Sequence, residues 1–156
     1  MPLKEEQVQD GSKERKRERI TEDRHIGGDE VDHKIWTNCA DCQKRMQDEG
    51  LRTPAELQSW FIKRMEKYVN SKGRTLIGWD EILMGGLAPN AMVMSWRGMD
   101  GGIQAAKQGH DVVMSPTSHC YFDYSYGNIS TARVYDYEPV PGTLWDEEAK
   151  HIIGAQ

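Results

Sequence analysis

Two tandem acid pairs, Asp29-Glu30 and Asp80-Glu81, stand out among the residues able to do chemistry. Paired carboxyl groups can divide acid and base work when their surroundings push their protonation apart. Taken alone, an Asp-Glu step is more often the start of a solvated loop. Trp79, Trp96, Tyr121 and Asp123 lie at comparable punctuation points of the chain. A lone tryptophan is usually core packing, and Tyr121 by itself reads as a loop aromatic over a sheet end. Cys39-x-x-Cys42 is a third candidate. A zinc site commonly wants four ligands, often two such pairs, and a redox pair wants a thioredoxin-like context. The reading here is structural cysteines or a local disulfide at a helix start. Neither a metal nor a cofactor is expected. Gly85-Gly86 and Gly101-Gly102 lack the lysine and spacing of a phosphate loop and read as turns.

The elements that would position these residues alternate. His25-Ile26-Gly27-Gly28, Thr75–Trp79, Ala91–Trp96 and Asp111–Met114 read as short, nearly continuous apolar strands. Residues 39–49 read as a helix with Gly50 as its stop. The clearest helix follows, with Thr53 as cap, Pro54 at its first position and Glu56 closing a capping box. Its expected apolar stripe is Leu57, Trp60, Phe61, Met65, Tyr68 and Val69. A further helix is expected over about 102–108, then a polar Tyr-rich loop. A last helix starts near Asp146, and a strand begins at His151. Strand–helix alternation with apolar strands predicts a parallel sheet covered by helices. In such folds chemistry sits where strands end in loops. That rule gathers Asp29-Glu30, Trp79-Asp80-Glu81, Trp96 and Tyr121–Asp123 at one rim. Aromatic faces beside carboxylates suit sugars, whose rings offer C–H faces to one and hydroxyls to the other.

Composition sets the outer bounds. The 156 residues carry a net charge of −5 with 37% hydrophobic residues, which fits one ordinary globular domain. The acidic balance argues against a nucleic-acid partner. No run of about 18 apolar residues is present, so no helical membrane span is expected. No apolar core precedes a small-residue cleavage site, so no secretory signal is expected. Residues 1–24 hold seven basic and seven acidic side chains and no aromatic. They read as a solvated tail or frayed helix, because such a segment buries too little to offset its ordering. The foldable part is expected over 25–156.

The rim residues also carry a resemblance. His25-Ile26-Gly27-Gly28-Asp29-Glu30-Val31 resembles the catalytic signature of family 20 glycoside hydrolases, the β-N-acetylhexosaminidases. Gly78–Leu83, Met94–Gly98 and Tyr121-Phe122-Asp123 resemble that family's later motifs, in order and at fitting spacing. The resemblance implies an α/β fold, a partial (β/α)8 TIM barrel covering strands four to seven and the start of strand eight. It implies hydrolysis of terminal N-acetylhexosamine residues by a retaining route in which the sugar's own acetamido oxygen attacks the anomeric carbon, an exception to the usual two-carboxylate scheme. Glu30 would serve as general acid and then base. Asp29 would stay ionised, accept the acetamido N–H and steady the ring's positive charge. Trp79 and Trp96 would wall the acetamido methyl pocket, the Tyr121 hydroxyl would align the acetamido oxygen, and Asp123 would bind a sugar hydroxyl. The expected partner is a glycan ending in N-acetylglucosamine or N-acetylgalactosamine. Adjacent strand residues point to opposite faces, so Asp29 and Glu30 can serve one substrate only where the strand breaks; Gly27-Gly28 permits that.

Asp80-Glu81 rivals Asp29-Glu30, but a structural role is expected, with Asp80 capping the segment after it. Trp145 reads as surface or packing. A second reading of the whole chain is a non-catalytic remnant, binding sugar weakly at most or associating with a partner half-barrel. A half-barrel exposes strand edges and apolar interior side chains, and self-association would relieve both. The missing early strands make poor or absent turnover by the isolated chain the expected result.

Overall fold

A computed structural model describes residues 23–156, so the expected tail falls almost wholly outside the described residues. The described chain runs β1 (Asp23–His25), α1 (His33–Thr37), α2 (Ala40–Asp48), α3 (Pro54–Asn70), β2 (Thr75–Trp79), a 3-10 turn (Asp80–Leu83), β3 (Met92–Ser95), α4 (Asp100–Lys107), β4 (Val112–Met114), α5 (Thr131–Tyr135), α6 (Asp146–Ala149) and β5 (Ile152–Ala155). The five strands form one sheet in chain order, every pair parallel. This is the expected α/β arc.

Side-chain alternation along the strands divides the apolar residues between two faces. Leu76, Val93, Val112 and Met114 are buried toward the helices, against Ile62, Val69, Ile82, Ala105 and Ala106. Burying one such side chain contributes about 1.5–3 kcal/mol, so this layer carries much of the stability. Ile77, Met92 and Met94 face the other way, with Trp79, Val113 and Ile153 partly buried beside them. That face is concave and holds a cavity of about 560 Å3 whose walls include His25, Ile77, Trp79, Met94 and Ile153.

α3 starts as expected. The Thr53 hydroxyl accepts from Glu56 N at 3.2 Å, and the Glu56 carboxylate accepts from Thr53 N at 3.2 Å. Its buried face differs from the expected stripe. Phe61 and Tyr68 are exposed, Trp60 lies under the guanidinium groups of Arg45 and Arg64, and the inward residues are Leu57, Gln58, Ser59, Ile62, Glu66 and Val69. The reason is loop backbone that needs partners. The Ser59 hydroxyl donates to Gly86 O, Glu66 accepts from Asn90 N, and Gln58 donates to Gly28 O.

α1 and α5 fall in stretches read as polar or loop. Each has five residues, no buried side chain, and a side-chain cap: Asp32 accepts from Lys34 N at 3.0 Å, and Ser130 accepts from Arg133 N at 3.2 Å. Helices that short have no room for a periodic signal. α4 begins at Asp100, slightly earlier than expected, and α6 and β5 lie where expected.

Candidate active site

The acid turn begins where β1 ends. Ile26 N donates to Ile77 O at 3.0 Å and Trp79 N donates to Gly27 O at 2.9 Å, so pairing with β2 continues two residues past the strand. The chain then breaks outward. Gly28 has φ +93°, and a Cβ there would stand 2.7 Å from Ile82 Cγ2, so only glycine fits. Glu30 has φ +53°, the one non-glycine residue with positive φ among the described residues. A left-handed glutamate costs about 1 kcal/mol or more and persists where surrounding contacts hold it. Asp29 and Glu30 are both exposed.

Those contacts come from α3. Gln58 is buried; its Nε2 donates to Gly28 O at 2.8 Å, and its Oε1 accepts from His33 Nε2 at 2.6 Å. One side chain thus ties down the residue before the acid pair and the residue that opens α1 after it. Sequence reasoning missed this residue. The available signal was a glutamine beside Leu57 in an otherwise apolar helical stripe.

His25 closes the near side. Its Nδ1 accepts from Gly27 N at 3.1 Å, and its ring meets Trp79 edge-on at 4.9 Å. Partial burial lowers its pKa, while the nearby Asp29 carboxylate opposes that shift. Trp79 in turn meets Trp96 edge-to-face at 6.4 Å. The two indoles therefore form one wall across the ends of β2 and β3.

The second acid pair has another fate. Asp80 and Glu81 are buried in the 3-10 turn. The cap position of that turn is Trp79 and has no side-chain cap bond, so the expectation that Asp80 caps it is corrected. Its carboxylate reaches across to the end of β3 instead, accepting from Trp96 N at 3.1 Å, Arg97 N at 3.3 Å and Arg97 Nε at 2.6 Å. Glu81 accepts from the Trp96 indole Nε1 at 2.9 Å. A carboxylate surrounded by donors is a better anchor than a proton carrier.

Tyr121 and Asp123 lie on the loop after β4. Ser115 N donates to Ser95 O and Thr117 N to Trp96 O, which carries that loop alongside the Trp96 strand end. Tyr124 N donates to Tyr121 O at 3.3 Å, so residues 121–124 form a turn with Asp123 exposed in it. The phenol of Tyr121 is pushed to higher pKa by burial first, then by Tyr124, Asp123, Asp29 and Asp80. Asp29 and Asp80 are thus minor contributors, after burial, Tyr124 and Asp123. The 560 Å3 concavity takes in Trp79 but is not lined by Asp29, Glu30, Trp96, Tyr121 or Asp123.

The cysteines are free thiols. Cys39 caps α2, its sulfur accepting from Cys42 N at 3.3 Å, and a hydrogen bond from the Cys42 thiol lowers its pKa. This is a structural role without the local disulfide. Trp145 is 79% exposed, at the surface.

Comparison with known proteins places the fold in a family. Residues 12–156 match the catalytic domain of glycosyl hydrolase family 20, a match that begins ahead of His25 and takes in part of the charged segment. A β-hexosaminidase of Porphyromonas gingivalis is 49% identical over 144 residues, 85% of this chain and 18% of the relative. One from Vibrio furnissii is 32% identical over 85% of this chain and 24% of its own length. The chain therefore spans about a fifth of these two relatives. Among solved structures, the exo-β-N-acetylglucosaminidase of Vibrio harveyi in complex with N-acetylglucosamine superposes with a TM-score of 0.76 at 26% identity, over 92% of this chain and 25% of that one. The chitobiase of Flavobacterium johnsoniae gives 0.69 at 32% identity, over 84% of this chain and 21% of that one. The parallel α/β arc is thus part of a known catalytic domain, and the chain belongs to glycosyl hydrolase family 20.

Proposed function

We propose that this chain carries the acid-bearing rim of a β-N-acetylhexosaminidase site, acting on glycans that end in N-acetylglucosamine or N-acetylgalactosamine. The observation that carries the reading is the exposed Asp29-Glu30 turn at the broken end of β1, one strand away from the edge-to-face Trp79–Trp96 wall. The likeness to a Vibrio harveyi enzyme holding N-acetylglucosamine supports the same substrate class. In this reading Glu30 protonates the leaving glycosidic oxygen. The substrate's acetamido oxygen closes on the anomeric carbon, so the bond to the leaving group breaks as an internal one forms. Asp29, ionised, accepts the acetamido N–H and balances the charge that spreads onto the new ring. Glu30, now a carboxylate, takes a proton from water, which opens the ring with net retention. Trp79 and Trp96 hold the acetamido methyl, Tyr121 orients its oxygen, and Asp123 holds a ring hydroxyl; holding the internal nucleophile in line supplies rate by proximity.

The experiment is hydrolysis of a chromogenic N-acetylglucosaminide, with N-acetylglucosamine titration followed by tryptophan indole NMR. Turnover that falls about 10²–10⁴-fold in Glu30→Gln supports the reading. Turnover untouched by that change overturns the assignment of Glu30. A second reading, sugar binding without turnover, is favoured by the open apolar face bearing Ile77, Trp79, Met94 and Ile153. It predicts indole shifts with no product, and self-association visible by sedimentation.

A further inference from the structure

The tip of β3 is built around Asp80 and Glu81. Ser95 Oγ donates to Gly98 O at 2.8 Å and accepts from Gly102 N at 3.0 Å, so the Ser95–Gly98 corner is tied to the first turn of α4. Asp80 lies under that corner. A Cβ at Gly101 would stand 2.7 Å from Asp80 Cβ, which shows how closely α4 packs over it. Asp80 takes the backbone N–H groups of Trp96 and Arg97 together with Arg97 Nε. Glu81 takes the Trp96 indole N–H at 2.9 Å, and its other oxygen lies 3.6 Å from Arg97 Nε. Asp80 is 2% exposed and Glu81 is 7% exposed, whereas Arg97 is half exposed. The two carboxylates are therefore held from the solvent side by one guanidinium, and each gives one oxygen to Trp96, Asp80 to its backbone N–H (an oxygen shared with Arg97 N) and Glu81 to its indole N–H.

An indole has one donor and several rotamers. Fixing both its backbone N–H and its ring N–H to two adjacent carboxylates leaves the ring plane little freedom. We infer that Asp80 and Glu81 are positioning residues for Trp96, setting the plane of the second indole of the wall against the first. The inference rests on the reading above for what Trp96 faces, and extends it by giving the second acid pair its work. Arg97 completes the brace by setting a positive charge against both carboxylates, since two carboxylates without a cation would be costly to bury.

The test uses the full chain with 15N-labelled tryptophan indoles, the Trp96 signal being identified by its loss in Trp96→Phe. Glu81→Gln keeps an acceptor and drops the charge, and hydrogen exchange at the Trp96 indole is expected to quicken about threefold. Glu81→Leu removes the acceptor, and exchange is expected to quicken by about tenfold or more. The Trp36, Trp60 and Trp145 indole signals stay in place in both, while that of Trp79, edge-on to Trp96, shifts with it. Affinity for N-acetylglucosamine is expected to weaken about tenfold in Glu81→Leu and to recover largely in Glu81→Gln. Trp96 exchange unchanged in a folded Glu81→Leu overturns the inference, as does faster exchange with unaltered sugar affinity. Should Glu81→Leu fail to fold, unchanged exchange in Glu81→Gln overturns it alone. Absence of any indole response to N-acetylglucosamine in the parent chain strikes the glycosidase reading instead, and the exchange rates still decide the brace.

Discussion

Asp29-Glu30 and Asp80-Glu81 are the same two residues in the same order at the ends of neighbouring strands, yet they occupy opposite physical states. The first pair is exposed, on a backbone that turns left-handed at Glu30. The second is buried, right-handed in a 3-10 turn, with its oxygens taken by Trp96 and Arg97. The difference lies in what the residues around each pair offer. Gly27-Gly28 lets the first chain leave the sheet before donors collect around it. The second chain curls under β3, whose end presents two N–H groups and an indole. A carboxylate with fixed donors is held in place, whereas one facing solvent is available to a substrate.

The sharpest way to break this contrast is to remove one acid from each pair and measure unfolding in urea. Asp80→Ala leaves two backbone donors and a guanidinium without their acceptor, and a loss of about 2–4 kcal/mol is expected. Asp29→Ala should change stability by less than about 0.5 kcal/mol, as surface changes do. Equal losses would erase the distinction. A smaller effect tests what holds the exposed pair in place. Gln58→Leu keeps the volume but orphans Gly28 O and His33 Nε2, at an expected cost of about 1–3 kcal/mol. Exchange protection should fall around residues 28–33 and hold in the sheet core. Protection that stays intact at 28–33 would remove Gln58 from the site.

The smallest effect is a titration. The lowered pKa of His25 means that the unfolded chain takes up its proton first as pH falls. Stability from this group is full above pH about 6.5 and is lost as pH drops through that value toward the folded pKa. Protonation also removes the acceptor for Gly27 N. The ring-proton shift of His25 should titrate with a midpoint below 6.5, with the Trp79 indole signal moving in step; a midpoint above 6.5 would contradict the packing described.

Much of the fold could be read because its signals were local. The capping box at Thr53, the stop at Gly50 and the apolar strands each depend on neighbours in the chain. The stripe of α3 misled because Gln58, Ser59 and Glu66 turn inward to serve loop carbonyls and amides from distant segments. Periodicity weighs hydrophobicity and has no knowledge of which backbone groups elsewhere lack partners. The short helices α1 and α5 were hidden for a related reason: each is held by one capping side chain and no buried face.

The residues alone determined the order of the strands and longer helices, the family likeness and the two acid pairs as candidates, since these depend on residue type and spacing. Which pair is free and which is spent was settled by long-range contacts. Trp96 and Arg97 reach back across fifteen to seventeen positions to claim Asp80 and Glu81. Gln58 reaches across thirty to hold the turn before Asp29. A carboxylate's role follows from the donors around it, and those donors come together only when the sheet assembles.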